Sequence, residues 1–321
     1  MAVATTSLPV IVLTGPTGAG KSDWALRLAA ELPVEIVSVD SALVYRGMDI
    51  GTAKPLPEIR ARVPHHLIDI VDPEETYSAG RFAADAVALI AAIRGRGRIP
   101  LLVGGTMLYL RALTAGIAPL PRGTSELRRD IDARAARAGW PVLHAELARL
   151  DPQAAARIHP NDPQRIQRAL EVCYVSGQPL SVLQRATRAA LPEPPLRWAL
   201  APERGALHEA LALRFERMMR QGLLAEVARL RARPGLTAEH PAMRAVGYRQ
   251  LWAYLAGSGT LEEAVARAIT ATRQLAKRQM TWLRADRAIR WVDPQVTDAY
   301  ESWSRELRRE LVGFWPAAAL P

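Results

Sequence analysis

Four short apolar-rich runs punctuate the chain, at residues 9–13, 34–39, 99–103 and 197–201. Their length and the breaks around them mark them as strands. The first is followed by a helical pattern over residues 21–32, and an alanine-rich helical segment fills residues 79–94. Strands alternating with helices over residues 8–120 predict a parallel sheet, with ligands at the carboxyl ends of its strands. Pro119-Leu-Pro-Arg-Gly123 breaks that pattern. Residues 125–190 then read as helical throughout, with Asp151-Pro152 and Asp162-Pro163 as helix starts. A second break at Leu191-Pro-Glu-Pro-Pro195 precedes the fourth strand, and helices are expected to the end. The expected fold is therefore α/β: a parallel-sheet core formed by 1–120 and 197–321, an all-helical insertion at 121–196, and a helical C-terminal part. No internal repeat or low-complexity segment stands out.

Composition narrows the class. A chain of 321 residues with 49% hydrophobic and 23% charged residues can bury a large core in one or two domains. No apolar run approaches the roughly 18–20 residues of a membrane span. The N-terminus MAVATTSLPV lacks a basic stretch leading into an apolar one, so no secretory signal is expected. Cys173 is the single cysteine, which excludes an intrachain disulfide and a multi-cysteine metal site. A reducing cytoplasm fits, and a monomer is expected.

The net charge of +10 points to a polyanionic partner. Arginine supplies 39 of the 42 basic residues, so a compositional bias accounts for part of it. The three lysines, Lys21, Lys54 and Lys277, all fall inside distinctive segments, where a compact ammonium is retained against that bias. Residues 197–321 hold 20 basic and 13 acidic residues, so most of the surplus lies there.

The sharpest motif follows the first strand. Gly15, Pro16, Thr17, Gly18, Ala19, Gly20, Lys21 and Ser22 fit the P-loop template G-x-x-x-x-G-K-[ST] at every fixed position, between a strand and a helix. Such a loop turns backbone N–H groups onto a di- or triphosphate; Lys21 adds a charge and the Ser22 hydroxyl can reach Mg²⁺. The second strand ends at Asp40, which is placed either to cap a helix or to act as a general base. The third ends Leu101-Leu-Val-Gly104-Gly105-Thr106, where nucleotide hydrolases usually carry a Mg²⁺-binding Asp. Two glycines there allow close approach to the backbone, and Thr106 offers a hydroxyl. His65-His66 lacks the i, i+4 spacing and nearby thiolates of a metal site.

Three basic segments carry aromatic or amide groups suited to RNA. The longest runs Arg273-Gln-Leu-Ala-Lys277-Arg278-Gln-Met-Thr-Trp282-Leu-Arg284 and continues, in a helical pattern, to Arg287, Arg290 and Trp291. Arg244-Ala-Val-Gly247-Tyr248-Arg249 and Gln164-Arg165-Ile-Gln167-Arg168 are shorter.

Together these segments resemble one family, the bacterial tRNA dimethylallyltransferases (tRNA isopentenyltransferases). The resemblance rests on GPTGAGKS (15–22), SVDSALVYRGMDIGTAKP (38–55), GRIPLLVGGTMLYLRAL (97–113), ARIHPNDPQRIQRALEV (156–172), VGYRQLW (246–252) and ATRQLAKRQMTWLR (271–284). It implies a P-loop core with a helical insertion that grips the tRNA anticodon stem-loop, and a target base flipped into a channel. The implied reaction moves a dimethylallyl group from dimethylallyl diphosphate. The acceptor is the exocyclic N6 amine of adenosine 37, beside the anticodon of tRNAs reading codons that begin with U. By the same resemblance residues 15–22 hold the diphosphate, with Mg²⁺ on Ser22. Asp40 is the general base, Thr106 lies beside the bridging oxygen, and Arg214 binds the diphosphate with Lys21. The implied tRNA contacts are Asp40, Ser41, Ala42, Leu43, Thr106 and Arg128; Gln164, Arg165, Ile166, Gln167 and Arg168; Arg244, Ala245, Val246, Gly247, Tyr248 and Arg249; and Lys277, Arg278, Gln279, Met280, Thr281, Trp282, Leu283 and Arg284. The C-terminal zinc finger of fungal and animal relatives is not expected with one cysteine.

Two other classes compete. A P-loop kinase of a small metabolite or nucleotide would use ATP, and a non-catalytic RNA-binding ATPase would need no base. The missing strand-end Asp and the basic Trp-bearing segment count against the first. The placement of Asp40 and Thr106 counts against the second.

Overall fold

In a computed structural model, residues 7–121, 123–312 and 314 are described. The chain forms two compact units, one from residues 1–114 and 191–321 and the other from 115–190. The core sheet has six strands, β1 (Ile11–Thr14), β2 (Val34–Val39), β3 (His65–His66), β4 (Ile99–Gly104), β5 (Leu196–Leu200) and β6 (Arg290–Val292). All neighbours are parallel, in the order β3-β2-β4-β1-β5-β6. Every residue of β1, β2 and β4 is buried, as in a parallel sheet covered on both faces. The order places β4 between β2 and β1, so the three strand ends carrying Asp40, Thr106 and the P-loop are neighbours.

Helices α1 (Lys21–Glu31), α2 (Pro57–Arg62), α3 (Ala79–Gly95) and α4 (Met107–Thr114) accompany the first four strands. The insertion contains α5 (Ser125–Ala138), α6 (Trp140–Leu150), α7 (Pro152–Ala155), α8 (Pro163–Ser176) and α9 (Leu180–Leu183). The core then resumes with α10 (Arg204–Arg220), α11 (Leu223–Arg231), α12 (Tyr248–Leu255), α13 (Leu261–Arg284) and α14 (Ala299–Leu311). On one side of the sheet, Trp303 of α14 packs 5.3 Å from Trp24 of α1 and edge-on to Trp198 of β5. Such offset aromatic contacts add to the area they bury.

The insertion has its own core, in which Ile131, Leu143, Leu147, Ile166 and Leu170 are buried together. Two buried carboxylates knot it. Asp151 accepts the Ser181 N–H and hydroxyl, each at 2.7 Å, and Glu171 accepts Arg128 Nε at 2.6 Å.

The sequence pattern needs several corrections. The insertion was expected at 121–196, but Leu191 N donates to Leu113 O at 3.1 Å and Leu196 opens β5, so residues 191–196 belong to the core. Residues 187–190 are not helical. The basic helix stops at Arg284; Arg290 and Trp291 stand on the edge strand β6, paired with Trp198 and Ala199. The two-residue β3 was also unforeseen, because a histidine pair carries no strand signal. His66 Nε2 meets the buried Glu35 at 2.7 Å and His65 Nδ1 meets Val63 O, so this pair joins β3 to its surroundings.

Candidate active site

The P-loop leaves β1 through Gly15, whose φ of 144° and position against β5 demand glycine: a Cβ there would lie 2.6 Å from Leu200 O. The loop then enters α1 at Gly20. Lys21 Nζ crosses the loop, donating to Gly15 O at 3.0 Å and Pro16 O at 2.7 Å. Burial lowers its pKa to about 8, with Asp40 opposing the shift and Arg214 reinforcing it. Burial also lowers the Arg214 pKa, against the pull of Asp40 and Asp23. Lys21, Arg214 and Asp40 thus form one electrostatic group, a cationic end with the Asp40 carboxylate beside both cations.

Asp40 caps no helix. Its Oδ1 accepts the Ala42 N–H at 2.8 Å in a local turn, which fixes the carboxylate's direction. Thr106 Oγ1 accepts the Ser41 N–H at 3.0 Å, joining the ends of β2 and β4. Both residues line a cavity of about 500 Å³ at the carboxyl ends of the strands. At its polar end stand Thr17, Asp40, Thr106 and Arg214, while Leu211, Phe215, Met218, Val246 and Leu275 supply an apolar wall. A cavity of this kind suits a ligand with one anionic end and one hydrocarbon end, held beside a carboxylate that can take a proton.

Several of the core residues expected at the site line this cavity, but of the P-loop residues Thr17 alone does so and Lys21 does not. Ser41, Ala42, Arg244, Ala245, Arg278 and Trp282 line it as well. Arg249, Lys277, Thr281 and Arg284 are exposed, and Leu43 and Met280 are half-buried. In the insertion, Gln164 and Arg165 are exposed at the start of α8, Gln167 Nε2 donates to Asp132, and Arg168 donates to Glu171 and Pro121 O.

Several expected tRNA contacts are corrected. Ile166 is fully buried at 0% exposure and Leu283 at 1%, so their side chains hold elements together instead of facing RNA, while Tyr248, also at 0%, lines the cavity from within the packed core. Gly247 is buried too. The Tyr248 hydroxyl donates to the buried Glu226 at 2.5 Å. Lys54 is likewise structural: its buried ammonium meets Tyr45 O, Asp49 and Asp69.

Two features of the site escaped the sequence. Leu211, Phe215 and Met218 follow helical i, i+4, i+7 spacing on α10, a signal that was present but indistinguishable from ordinary core. Glu226 gave no signal; its carboxylate accepts the N–H groups of Asp49, Ile50 and Gly51 at 2.8–3.2 Å and so shapes the turn whose Gly51 and Thr52 line the cavity.

For a magnesium ion, the fit is partial by protein groups alone. Ser22 is exposed at the second position of α1, and no cluster of three His, Cys, Asp or Glu side chains suited to a metal exists among the described residues. That donor set fits a Mg²⁺ held chiefly by phosphate oxygens and water.

Comparison with known proteins agrees with this geometry. A family model described as IPP transferase matches residues 43–286. The tRNA dimethylallyltransferase of Methylococcus capsulatus is 56% identical over 305 residues, covering 94% of this chain and 98% of that protein. That of Alkalilimnicola ehrlichii is 58% identical over 289 residues, covering 89% and 91%. Among solved structures, the tRNA isopentenylpyrophosphate transferase of Bacillus halodurans is 35% identical with a TM-score of 0.69, over 95% of this chain and 97% of that one. A eukaryotic dimethylallyltransferase described as acting on tRNA is 29% identical with a TM-score of 0.80, over 97% and 81%.

Proposed function

The chain belongs to the IPP transferase family of tRNA dimethylallyltransferases, and from that premise we propose how its own residues carry the reaction. The donor is dimethylallyl diphosphate and the acceptor is the N6 amine of adenosine 37 in tRNAs reading codons that begin with U. The observation that carries this reading is the cavity with Arg214, Asp40 and Thr106 at its polar end and an apolar wall from α10, Lys21 being coupled electrostatically to both Arg214 and Asp40.

The diphosphate lies on the P-loop N–H groups, Lys21 and Arg214, and the hydrocarbon tail against Leu211, Phe215 and Met218. The amine nitrogen attacks the first carbon of the allyl chain. The carbon–oxygen bond to the diphosphate breaks, and its electron pair leaves with the diphosphate. The amine proton passes to the Asp40 carboxylate. An aromatic amine is a weak nucleophile, so removing its proton as bonding develops helps. Pre-oriented donors on the departing anion contribute more to the rate, roughly 3–4 kcal/mol for a key donor. Ser22 would hold Mg²⁺, which when bound neutralises part of the charge on the departing diphosphate. An apolar cavity keeps water from the cation-like allyl group.

Exposed Lys277, Arg278, Arg249 and Arg284 supply phosphate contacts, with Trp282 as an aromatic surface for an unstacked base. The protein works as a monomer. Among the described residues no helix is long and apolar enough to cross a membrane.

The test is a transfer assay with unmodified tRNA, Mg²⁺ and either labelled dimethylallyl diphosphate or labelled ATP. Label should reach tRNA from the prenyl donor and be recovered as N6-(dimethylallyl)adenosine at position 37. Label reaching RNA only from ATP, or from neither, overturns this reading.

A further inference from the structure

Gln279 lies on the inward side of α13, next to the exposed Lys277 and Arg278 and three residues before the exposed Trp282. It is 9% exposed, unlike those neighbours. Its carboxamide bonds two different loops. Oε1 accepts the Thr17 N–H at 2.9 Å, and Nε2 donates to Gly105 O at 2.8 Å. Thr17 is the third residue of the P-loop, and Gly105 immediately precedes Thr106.

The packing around these bonds is tight. A Cβ at position 105 would fall 2.4 Å from Gln279 Nε2 and 3.0 Å from Gly15 O. The glycine is therefore what allows the carboxamide, the P-loop and the end of β4 to meet. The chemistry of the residue also matters. A carboxamide offers a donor and an acceptor without charge. Glutamate would keep only the acceptor and add a further carboxylate near the cationic end of the cavity. Lysine or arginine would keep only donors.

We propose that Gln279 is a positioning residue for the diphosphate. Resting on the reaction above, its role is to hold Thr17 and Gly105 in register, so that the P-loop N–H groups and the Thr106 hydroxyl address one bound anion. Lys277, Arg278 and Trp282 are exposed on α13, whereas Gln279 is buried and uses both polar ends of its carboxamide on Thr17 and Gly105.

The test separates anion binding from RNA binding. Gln279→Met keeps length and removes both bonds, and Gln279→Glu keeps the bond to Thr17 only. Each variant and the unaltered protein are titrated with inorganic pyrophosphate and Mg²⁺ by calorimetry. Dissociation constants for unmodified tRNA and the KM and kcat for the prenyl donor are measured alongside. Gln279→Met should weaken pyrophosphate binding about tenfold and raise the donor KM in parallel, since two buried partners lose their bonds. Its tRNA dissociation constant should stay within about twofold. Gln279→Glu should bind pyrophosphate more weakly still. Gly105→Ala, which displaces the carboxamide, should reproduce the Gln279→Met defect, and the double variant should lose less than the two separate effects combined. Unchanged pyrophosphate affinity in Gln279→Met overturns the proposal, as does lost tRNA affinity with pyrophosphate binding intact. If Gln279→Met does not fold, Gln279→Glu and Gly105→Ala decide the matter on the same readout. Pyrophosphate binding needs no prenyl transfer. Failure of the unaltered protein to prenylate tRNA would therefore sink the reaction assignment and leave this comparison decisive for Gln279.

Discussion

Thr106 Oγ1 accepts the Ser41 backbone N–H at 3.0 Å. One hydroxyl thus fixes the end of β4 against the residue that follows Asp40, so the two groups proposed to meet the leaving anion and to take the proton are set together. Thr106→Val keeps the shape and removes the hydroxyl. It should lower kcat about 100-fold, the cost of a lost oxyanion donor, while Thr106→Ser keeps most of the rate. Steady-state kinetics at saturating tRNA checks both.

Glu226 is a buried carboxylate whose partners are three backbone N–H groups and the Tyr248 hydroxyl. Tyr248→Phe removes one donor and leaves the charge buried. Unfolding in urea should show a stability loss of about 1–3 kcal/mol with an unchanged slope. Because the same carboxylate shapes the turn bearing Gly51 and Thr52, the donor KM should rise as well.

Burial lowers the Lys21 pKa from its ordinary 10.5 to about 8. Between those values the unfolded chain binds a proton that the folded one does not, so this group makes stability rise with pH from about 8 to about 10.5. Below about pH 8 its destabilising effect is fully present. Diphosphate binding has the opposite sign, because only the ammonium attracts the anion. The kcat/KM for the prenyl donor should therefore fall as pH rises through about 8 in the free enzyme. Lys21→Arg should move that falling limb to higher pH, whatever its effect on the maximum.

Lys277 and Arg278 are exposed on α13. Replacing both by Ala should weaken tRNA binding and make the plot of log affinity against log salt shallower by about 1.5–2 units. Filter binding from low to moderate salt measures the slope. Pyrophosphate affinity should change less than tRNA affinity, and in Lys277→Ala alone it should stay within about twofold, since Arg278 lines the cavity and Lys277 does not.

Much of this was legible because local chemistry and topology agree. The P-loop template, the apolar runs of β1, β2 and β4, and the strand-end positions of Asp40 and Thr106 are all set by residues near one another in sequence. What stayed hidden depends on tertiary packing. Tyr248 reads as an aromatic group in a basic segment, and only the fold reveals that Glu226 stands behind it. Gln279 lies in a run of cations, and only the facing of α13 turns it inward to Thr17. Trp291 and Arg290 continue a helical pattern in the sequence, yet pairing with β5 makes them an edge strand. The extent of the insertion depended likewise on a bond between Leu191 and Leu113, which no local signal announces.

Asp40 as the group that takes the amine proton is the central claim. Single-turnover transfer from dimethylallyl diphosphate to saturating unmodified tRNA tests it in the Asp40→Asn variant, which keeps the acceptor for the Ala42 N–H and removes the base. The rate constant should fall by about 10²–10⁴-fold, with tRNA and pyrophosphate dissociation constants within about twofold of the unaltered protein. A normal single-turnover rate in Asp40→Asn would contradict that role.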